Sequence, residues 1–541
     1  MMQLRLALRS CLLLMIAALI AVISAWSQTN VGQISGRAYD AQGGAIPDCT
    51  VTITSLQTGL KRVAKTDHSG YYVFPSLPAG AYDVLVEKQG FRSTQQSGVV
   101  LDATSRRTLD FKVDVGGVAE SVSVLATVER VQTNSGDVNR LITDRQLEQI
   151  ALNGRNYAQL LRLIPGSVST TTDPFNLALS TTGQRINGIR TNSILFSLDG
   201  GENMDSGGNI NQVVNPNVDT IAEVKVLSAS YSAEFGGHSG AVVNVVTKSG
   251  TREFHGSIFE FIRNDLFDAR SFFATRVDPL RFNNFGWTLG GPIFIPGKFN
   301  IDKTKLFFFA GQEWKYNHQG APRVSTVPTL EERSGDFRNS SLPAPVDPLN
   351  GQPFPDRIVP TSRFSTNGPP LLKPYPLPNF GGPGGNYTFT GVNQTDPRED
   401  LLRVDYILSS KTQLTYRWTH DEWNIFNPFQ GSALGIVPGD RPRPGYVTAV
   451  ALSHFFSPTT LNHFSFALTH NIIVATPNNS VMKRDALGLN YPEIYPGNRF
   501  GTGPNVNISG LPVTTLAMGS KNTSPLCSGG TTSAKWWEPT R

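Results

Sequence analysis

Eight histidines, three cysteines and 42 acidic residues are the side chains this 541-residue chain offers for acid–base, nucleophilic or metal chemistry. Their spacing matches no enzyme centre. There is no His-Glu-x-x-His helix, no Gly-x-Ser-x-Gly elbow and no phosphate loop, since Gly236-Gly237-His238-Ser239-Gly240 lacks the lysine such a loop needs. His454, His463 and His470 fall close together on two neighbouring strand candidates, but without the spacing of metal ligands. The expectation is no catalytic, cofactor-binding or metal site, and no enzyme. One stretch offers a different chemistry, that of the backbone. In Val118–Ala126, Val122 and Val124 repeat with period two between small polar residues, so the segment can add to an exposed sheet edge. Its alternative is a plain linker strand between two domains.

Composition narrows the setting. Charged residues make up only 16%, while 51 Gly and 36 Pro accompany 31 Phe, a balance that favours β-rich structure over a disordered solubilising chain. The net charge of +5 is spread without a Lys/Arg run, which argues against a nucleic-acid partner. Arg5 and Arg9 precede an apolar run from Cys11 to Ile23, and Ala25-Trp26-Ser27 follows, the pattern of a leader cleaved after Ser27. No later run is long enough for a spanning helix, so membrane entry would require a closed barrel. Cys49 and Cys527 lie too far apart in sequence to define a disulfide framework.

Residues 28–115 alternate short apolar strands with turns such as Asp67-His68-Ser69-Gly70, and Tyr82, Val84 and Val86 share one face. This predicts a small β-sandwich. Thr66–Phe91, "TDHSGYYVFPSLPAGAYDVLVEKQGF", resembles the carboxypeptidase-regulatory-like domain. In residues 116–250 the texture changes. Thr143 and Gln146 make a capping box for a helix over Asp144–Ala151, and Tyr157–Leu163 is a second helix candidate ended by Pro165-Gly166. Ile194–Leu198, Ile221–Val226 and Val242–Thr247 read as strands, the last buried on both faces. Here "ALNGRNYAQLLRLIPG" (Ala151–Gly166), "INGIRTNSILFSLDG" (Ile186–Gly200) and the stretch Ile221–Asp265 resemble the plug of TonB-dependent receptors of the Oar-like group. The resemblance implies a plug that occludes a barrel until a TonB-type energy-coupling protein pulls on it. It also implies that Glu120, Ser121, Val122, Ser123 and Val124 lie in the segment this protein captures.

Residues 251–520 read as part of an antiparallel outer-membrane β-barrel. Leu402, Val404, Tyr406 and Leu408 oppose Arg403 and Asp405; after a short turn Leu414, Tyr416 and Trp418 oppose Thr415, Arg417 and Thr419. Tyr446–Phe455 and Leu461–Ile472 repeat the hairpin, with apolar residues toward lipid and polar residues inward. Gly256–Ile262, Phe285–Phe294 and Lys305–Tyr316 are further strand candidates, and the Pro- and Gly-rich Ser334–Pro397 reads as one long outer loop. A soluble sandwich with one long insertion would share the local alternation; the plug resemblance decides for lipid.

The fold class is therefore mainly β: an N-terminal β-sandwich, a small α/β plug, then part of a barrel. Family barrels have about 22 strands, whereas the residues after the plug suffice for roughly eight or nine. Residues 521–541 show no alternation and read as an aberrant or disordered tail, so an incomplete copy with doubtful transport is expected. Expected partners are the coupling protein, outer-membrane lipid and an unknown extracellular ligand of carbohydrate or metal-chelate class, at the outer membrane of a Gram-negative bacterium. The rival function is surface binding or adhesion without transport.

Overall fold

The structure, a computed structural model, describes residues 31–535 except 117–120, 126–135, 170–182, 206–207, 233–234, 236–237, 271–276, 458–459, 479, 493–500, 502, 505–506, 509–510 and 513–519. The leader expected at 1–27, Glu120 and part of the Gly236–Gly240 turn thus lie outside the described residues.

The first body is built from β1 (Gly32–Tyr39), β2 (Thr50–Ser55), β3 (Lys61–Lys65), β4 (Tyr71–Leu77), β5 (Gly80–Glu87), β6 (Ser93–Leu101), β7 (Arg106–Thr108) and β8 (Phe111–Lys112). β4-β1-β7, with β8 also on β1, form one sheet, and β3-β2-β5-β6 the other. Period-two alternation sends Val51, Ile53, Tyr82, Val84 and Val86 inward, where they meet Ile34, Tyr72, Phe74 and Phe111 of the facing sheet. The Tyr72 hydroxyl donates to Leu109 O at 2.7 Å, so the ring is buried without stranding its polar tip. A ninth strand, β9 (Ser121–Leu125), extends the second sheet along β6.

The second body has β10 (Val138–Thr143), α1 (Asp144–Gln149), a 3-10 turn over Tyr157–Leu163, β11 (Ser167–Ser169), β12 (Gln184–Ile186), β13 (Leu195–Leu198), β14 (Gly201–Glu202), β15 (Ile221–Ala229) and β16 (Val242–Thr247). Its main sheet runs β10-β15-β16-β13-β14. β16 is buried at every position, between antiparallel β15 and parallel β13. A strand flanked on both edges and covered on both faces has no room for polar alternation. The capping box on α1 closes in both directions: Thr143 Oγ1 accepts from Gln146 N, and Gln146 Oε1 accepts from Thr143 N at 3.1 Å. The helix ends at Gln149, two residues before the Ala151 expected from sequence.

The third body is a sheet of long strands: β17 (His255–Asn264), β18 (Leu280–Pro292), β19 (Leu306–Ser325), β20 (Tyr387–Ser409), β21 (Thr412–Asn427), β22 (Gly439–Asp440), β23 (Arg443–Ser457), β24 (Thr460–Pro477) and β25 (Ser520–Lys535). They lie in the order β17-β18-β19-β20-β21-β23-β24-β25, antiparallel throughout, with short β22 bridging β21 and β24. Leu402, Leu408, Tyr416 and Phe466 are exposed on the outer face, while Arg417, Thr419 and Asp421 are buried on the inner one. Gly250 carries the chain from plug to wall; a Cβ there would sit 2.3 Å from Phe308 O, so the crossing is passable only without a side chain.

Two expectations are corrected. The outer loop does not run to Pro397: β20 starts at Tyr387, and pairing with β19 continues to Ser325↔Tyr387. Backbone pairing does not depend on side-chain alternation, so the ladder continues into the polar, Gly- and Thr-containing part of the segment. Nor is the segment from Lys521 a disordered tail, since Ser520–Lys535 pairs with β24 from Thr460↔Lys535 to Ala475↔Ser520. An open strand edge selects backbone groups, so pairing does not need side-chain alternation. Among the connections, Val327, Tyr375 and Leu434 form a small core of their own, tied by the Arg333 guanidinium donating to the carbonyls of Leu372, Tyr375 and Pro376.

Phe196 is fully buried in the plug core. Phe196→Ala is expected to cost about 3–5 kcal/mol, read as a lower urea midpoint for proteolysis of the plug while the sandwich stays resistant.

Candidate functional site

The polar inner face of the wall meets the plug, and there the chain concentrates its buried charge. β20 and β21 present odd-numbered residues inward, which places Arg403 directly opposite Arg417. Two like charges so placed repel unless anions join them. Asp199, in the tight turn after β13, supplies one: its Oδ2 lies 2.5 Å from Arg417 Nη1, and Arg417 is 1% exposed. The same carboxylate accepts from Thr247 N at 2.9 Å and Thr247 Oγ1 at 2.6 Å. Arg403 donates to Thr247 O at 2.7 Å and pairs with Asp405 at 2.9 Å. The ends of β13 and β16, adjacent strands of the plug, are thus both clamped by one pair of wall arginines.

A second row lies further along the same strands. Glu313, Glu399 and Asp421 are in register across β19, β20 and β21, and all three are buried. Donors converge on two of them: Lys315 at 2.9 Å and Asn284 Nδ2 at 2.8 Å on Glu313, and Asn215 N at 2.7 Å with Trp423 Nε1 at 3.0 Å on Asp421. Asn215 belongs to the plug, so this row too joins plug to wall. Elsewhere Thr469 Oγ1 donates to Glu202 O at 2.5 Å, and Val447 of the wall enters the plug core. Arg155 of the plug lies 3.9 Å from the Phe261 ring centroid and pairs with Asp219. Burial raises the Asp219 carboxyl above its ordinary value, against the pull of Arg155.

The sandwich is tied to both. Glu223 Oε1 accepts from Ala103 N at 2.6 Å, while Lys225 Nζ donates to Ala103 O and Ser105 Oγ at 3.1 Å each. Ser76 Oγ lies 3.0 Å from Ser453 Oγ, and Arg62 stacks 4.2 Å from the Phe455 ring centroid. A cavity of about 440 Å³ remains between the three bodies, bounded by Gly80, Glu223, Thr247, Arg403 and Ser453.

Of the residues singled out from sequence, Ser121, Val122, Ser123 and Val124 lie in β9, parallel to β6. They stand on the sandwich, not at the plug–wall contacts. The three histidines separate: His463 faces inward on Ser453 at 2.8 Å, His454 bonds Thr412 at 2.9 Å, and His470 stacks on Tyr446. Among the described residues no group of three His, Cys, Asp or Glu is placed to hold a metal ion. Asp199, Arg417 and Asp421 went unnamed as site residues. Their signal was present, because a charge inside an alternating strand must face away from lipid; the plug partner had no local signature.

The chain matches family models for an outer membrane beta barrel domain over residues 246–533, a carboxypeptidase regulatory-like domain over 33–114 and a TonB-dependent receptor plug domain over 130–243. It belongs to the TonB-dependent receptors, an outer-membrane family of receptors and transporters. Within it, the chain is 29% identical over 325 residues to the TonB-dependent transporter Oar of Myxococcus xanthus, covering 54% of this chain and 27% of that protein. It thus spans about a quarter of the length of this curated relative. Solved structures similar to it include the outer membrane transporter YddB of Escherichia coli (13% identity, TM-score 0.38, 62% of this chain and 39% of that one) and the siderophore receptor PirA of Acinetobacter baumannii (15% identity, TM-score 0.36, 72% and 44%).

Arg417→Ala leaves the Asp199 carboxylate buried without its cation, and removing one partner of such a pair costs about 3–5 kcal/mol. Plug release in urea, followed by thiol labelling at an engineered plug cysteine, is expected at lower denaturant, with Arg417→Met/Asp199→Asn recovering much of the loss because the neutral amide still accepts from Thr247 N. A second outcome concerns pH. Burial pulls the Lys225 amine below its ordinary 10.5, opposed by Glu223. The folded state then binds this proton less tightly than the unfolded chain, so stability rises with pH between the depressed value and 10.5. Lys225→Met is expected to flatten that limb of the stability–pH curve, measured by urea unfolding at alkaline pH.

Proposed function

We propose that this chain serves as a TonB-dependent receptor for energy-coupled uptake of a large substrate across the outer membrane of a Gram-negative bacterium. Residues 1–27 act as its export leader. The carrying observation is a plug pinned to the inner face of a lipid-facing wall through buried polar contacts, Asp199–Arg417 foremost. A plug held by charge pairs and hydrogen bonds, rather than by a continuous apolar seam, releases as a unit when its contacts are broken together. The work comes from the inner membrane through a TonB-type coupling protein, and no covalent chemistry is involved. That protein captures Val118–Ala126, the segment just ahead of the plug. The substrate class is carbohydrate or metal chelate, in keeping with a sandwich-bearing receptor; the name of Oar, as a transporter, supports uptake.

A surface-binding role without transport is the rival, favoured by the folded outer connection around Val327, Tyr375 and Leu434. Deleting Val118–Ala126 separates them. Uptake is expected to disappear while surface display, scored by antibody on whole cells, stays intact. Unchanged ligand capture with no uptake in either form would establish the rival.

A further inference from the structure

The sandwich does more than precede the plug. We infer that the free edge of β6 is a docking rail that holds the coupling segment as an edge strand and presents its outer side to a strand of the energy-coupling protein. This rests on reading Val118–Ala126 as the coupling segment.

The rail is built by the chain itself. Asp114 O accepts from Arg92 N at 2.8 Å, Gly116 N donates to Gly90 O at 3.2 Å, and Phe91 bridges Val115. The chain leaving the sandwich is therefore clipped at the start of β6. Gly116 permits the crossing, since a Cβ there would fall 2.6 Å from Arg92 Cγ. Further along the chain, Ser121–Leu125 runs parallel to β6 in unbroken register: Ser93↔Ser121, Thr94↔Val122, Gln95↔Ser123, Gln96↔Val124 and Ser97↔Leu125.

β9 ends the sheet order β3-β2-β5-β6-β9, and among the described residues nothing pairs with its far side. A strand has two edges with alternate backbone groups on each, and strand addition needs one of them. Pairing with β6 therefore leaves the capture edge available. It also holds the segment extended before the partner arrives, which removes part of the ordering cost of binding. The opposite edge of the same sheet is β3, whose exposed Lys61 and Lys65 discourage a competing strand. The fitting occupant is an extended strand of the coupling protein, forming one sheet with β9 and the sandwich.

The test uses the full chain carrying Cys527→Ser, since Cys49 is buried and unreactive to surface reagents. Thr94→Cys/Val122→Cys is treated with a short bismaleimide, and Val63→Cys/Val122→Cys, on the far edge, is the control. Crosslinking is expected only in the first pair. The crosslinked protein is expected to bind the purified periplasmic domain of a TonB-type coupling protein within about threefold of the uncrosslinked one. Absence of the crosslink, or a loss of more than about tenfold on crosslinking, overturns the docking rail. If the uncrosslinked chain and its Val118–Ala126 deletion bind that domain equally, the coupling reading itself fails, a result distinct from either.

Discussion

Asp199 and Arg417 lie far apart in sequence and meet at 2.5 Å behind the wall, where Arg417 has almost no exposure to solvent. Much of the arrangement depends on that meeting. An arginine buried on the inner face of the wall is costly without an anion, so the wall needs the plug turn as much as the turn needs the wall. Thr247 shares the Asp199 carboxylate and also offers its carbonyl to Arg403, so one corner of the plug fixes two strands of its sheet against two strands of the wall.

The two unlike faces of the wall sheet explain why such charge is available. A strand exposed to hydrocarbon on one face must send its polar side chains to the other, and strands side by side stack them in cross-strand rows. Arg403 beside Arg417 is one row; Glu313, Glu399 and Asp421 are another. Each row carries one sign, so neither is comfortable alone. Plug groups meet each: a carboxylate for the arginines, and the Asn215 backbone N–H at the acidic row. Complementarity between plug and wall thus comes from matching unlike surfaces, with Val447 adding an apolar contact to the plug core.

The sandwich enters this scheme at the plug sheet. Its loop at Ala103 and Ser105 bonds Glu223 and Lys225 of β15, the strand beside edge strand β10. β10 is the first strand of the plug in chain order and lies at an edge of its sheet, held there by the β15 ladder.

Local periodicity determined a good part of this protein. The facing of Val84 and Val86, the full burial of Val242–Thr247, the α1 capping box and the inward turn of Arg403 and Arg417 all follow from neighbours a few residues apart, because strand and helix periods are properties of short segments. Family resemblance over Ile221–Asp265 then marked the plug. The tertiary structure decided the rest: that Asp199 is the partner of Arg417, that Ser121–Leu125 lies on β6, that β20 begins at Tyr387, and that Ser520–Lys535 is a strand. Each of these is a pairing between distant parts of the chain. Backbone edges and buried ions take whatever partner the three-dimensional register brings to them, and that register is not written in local composition.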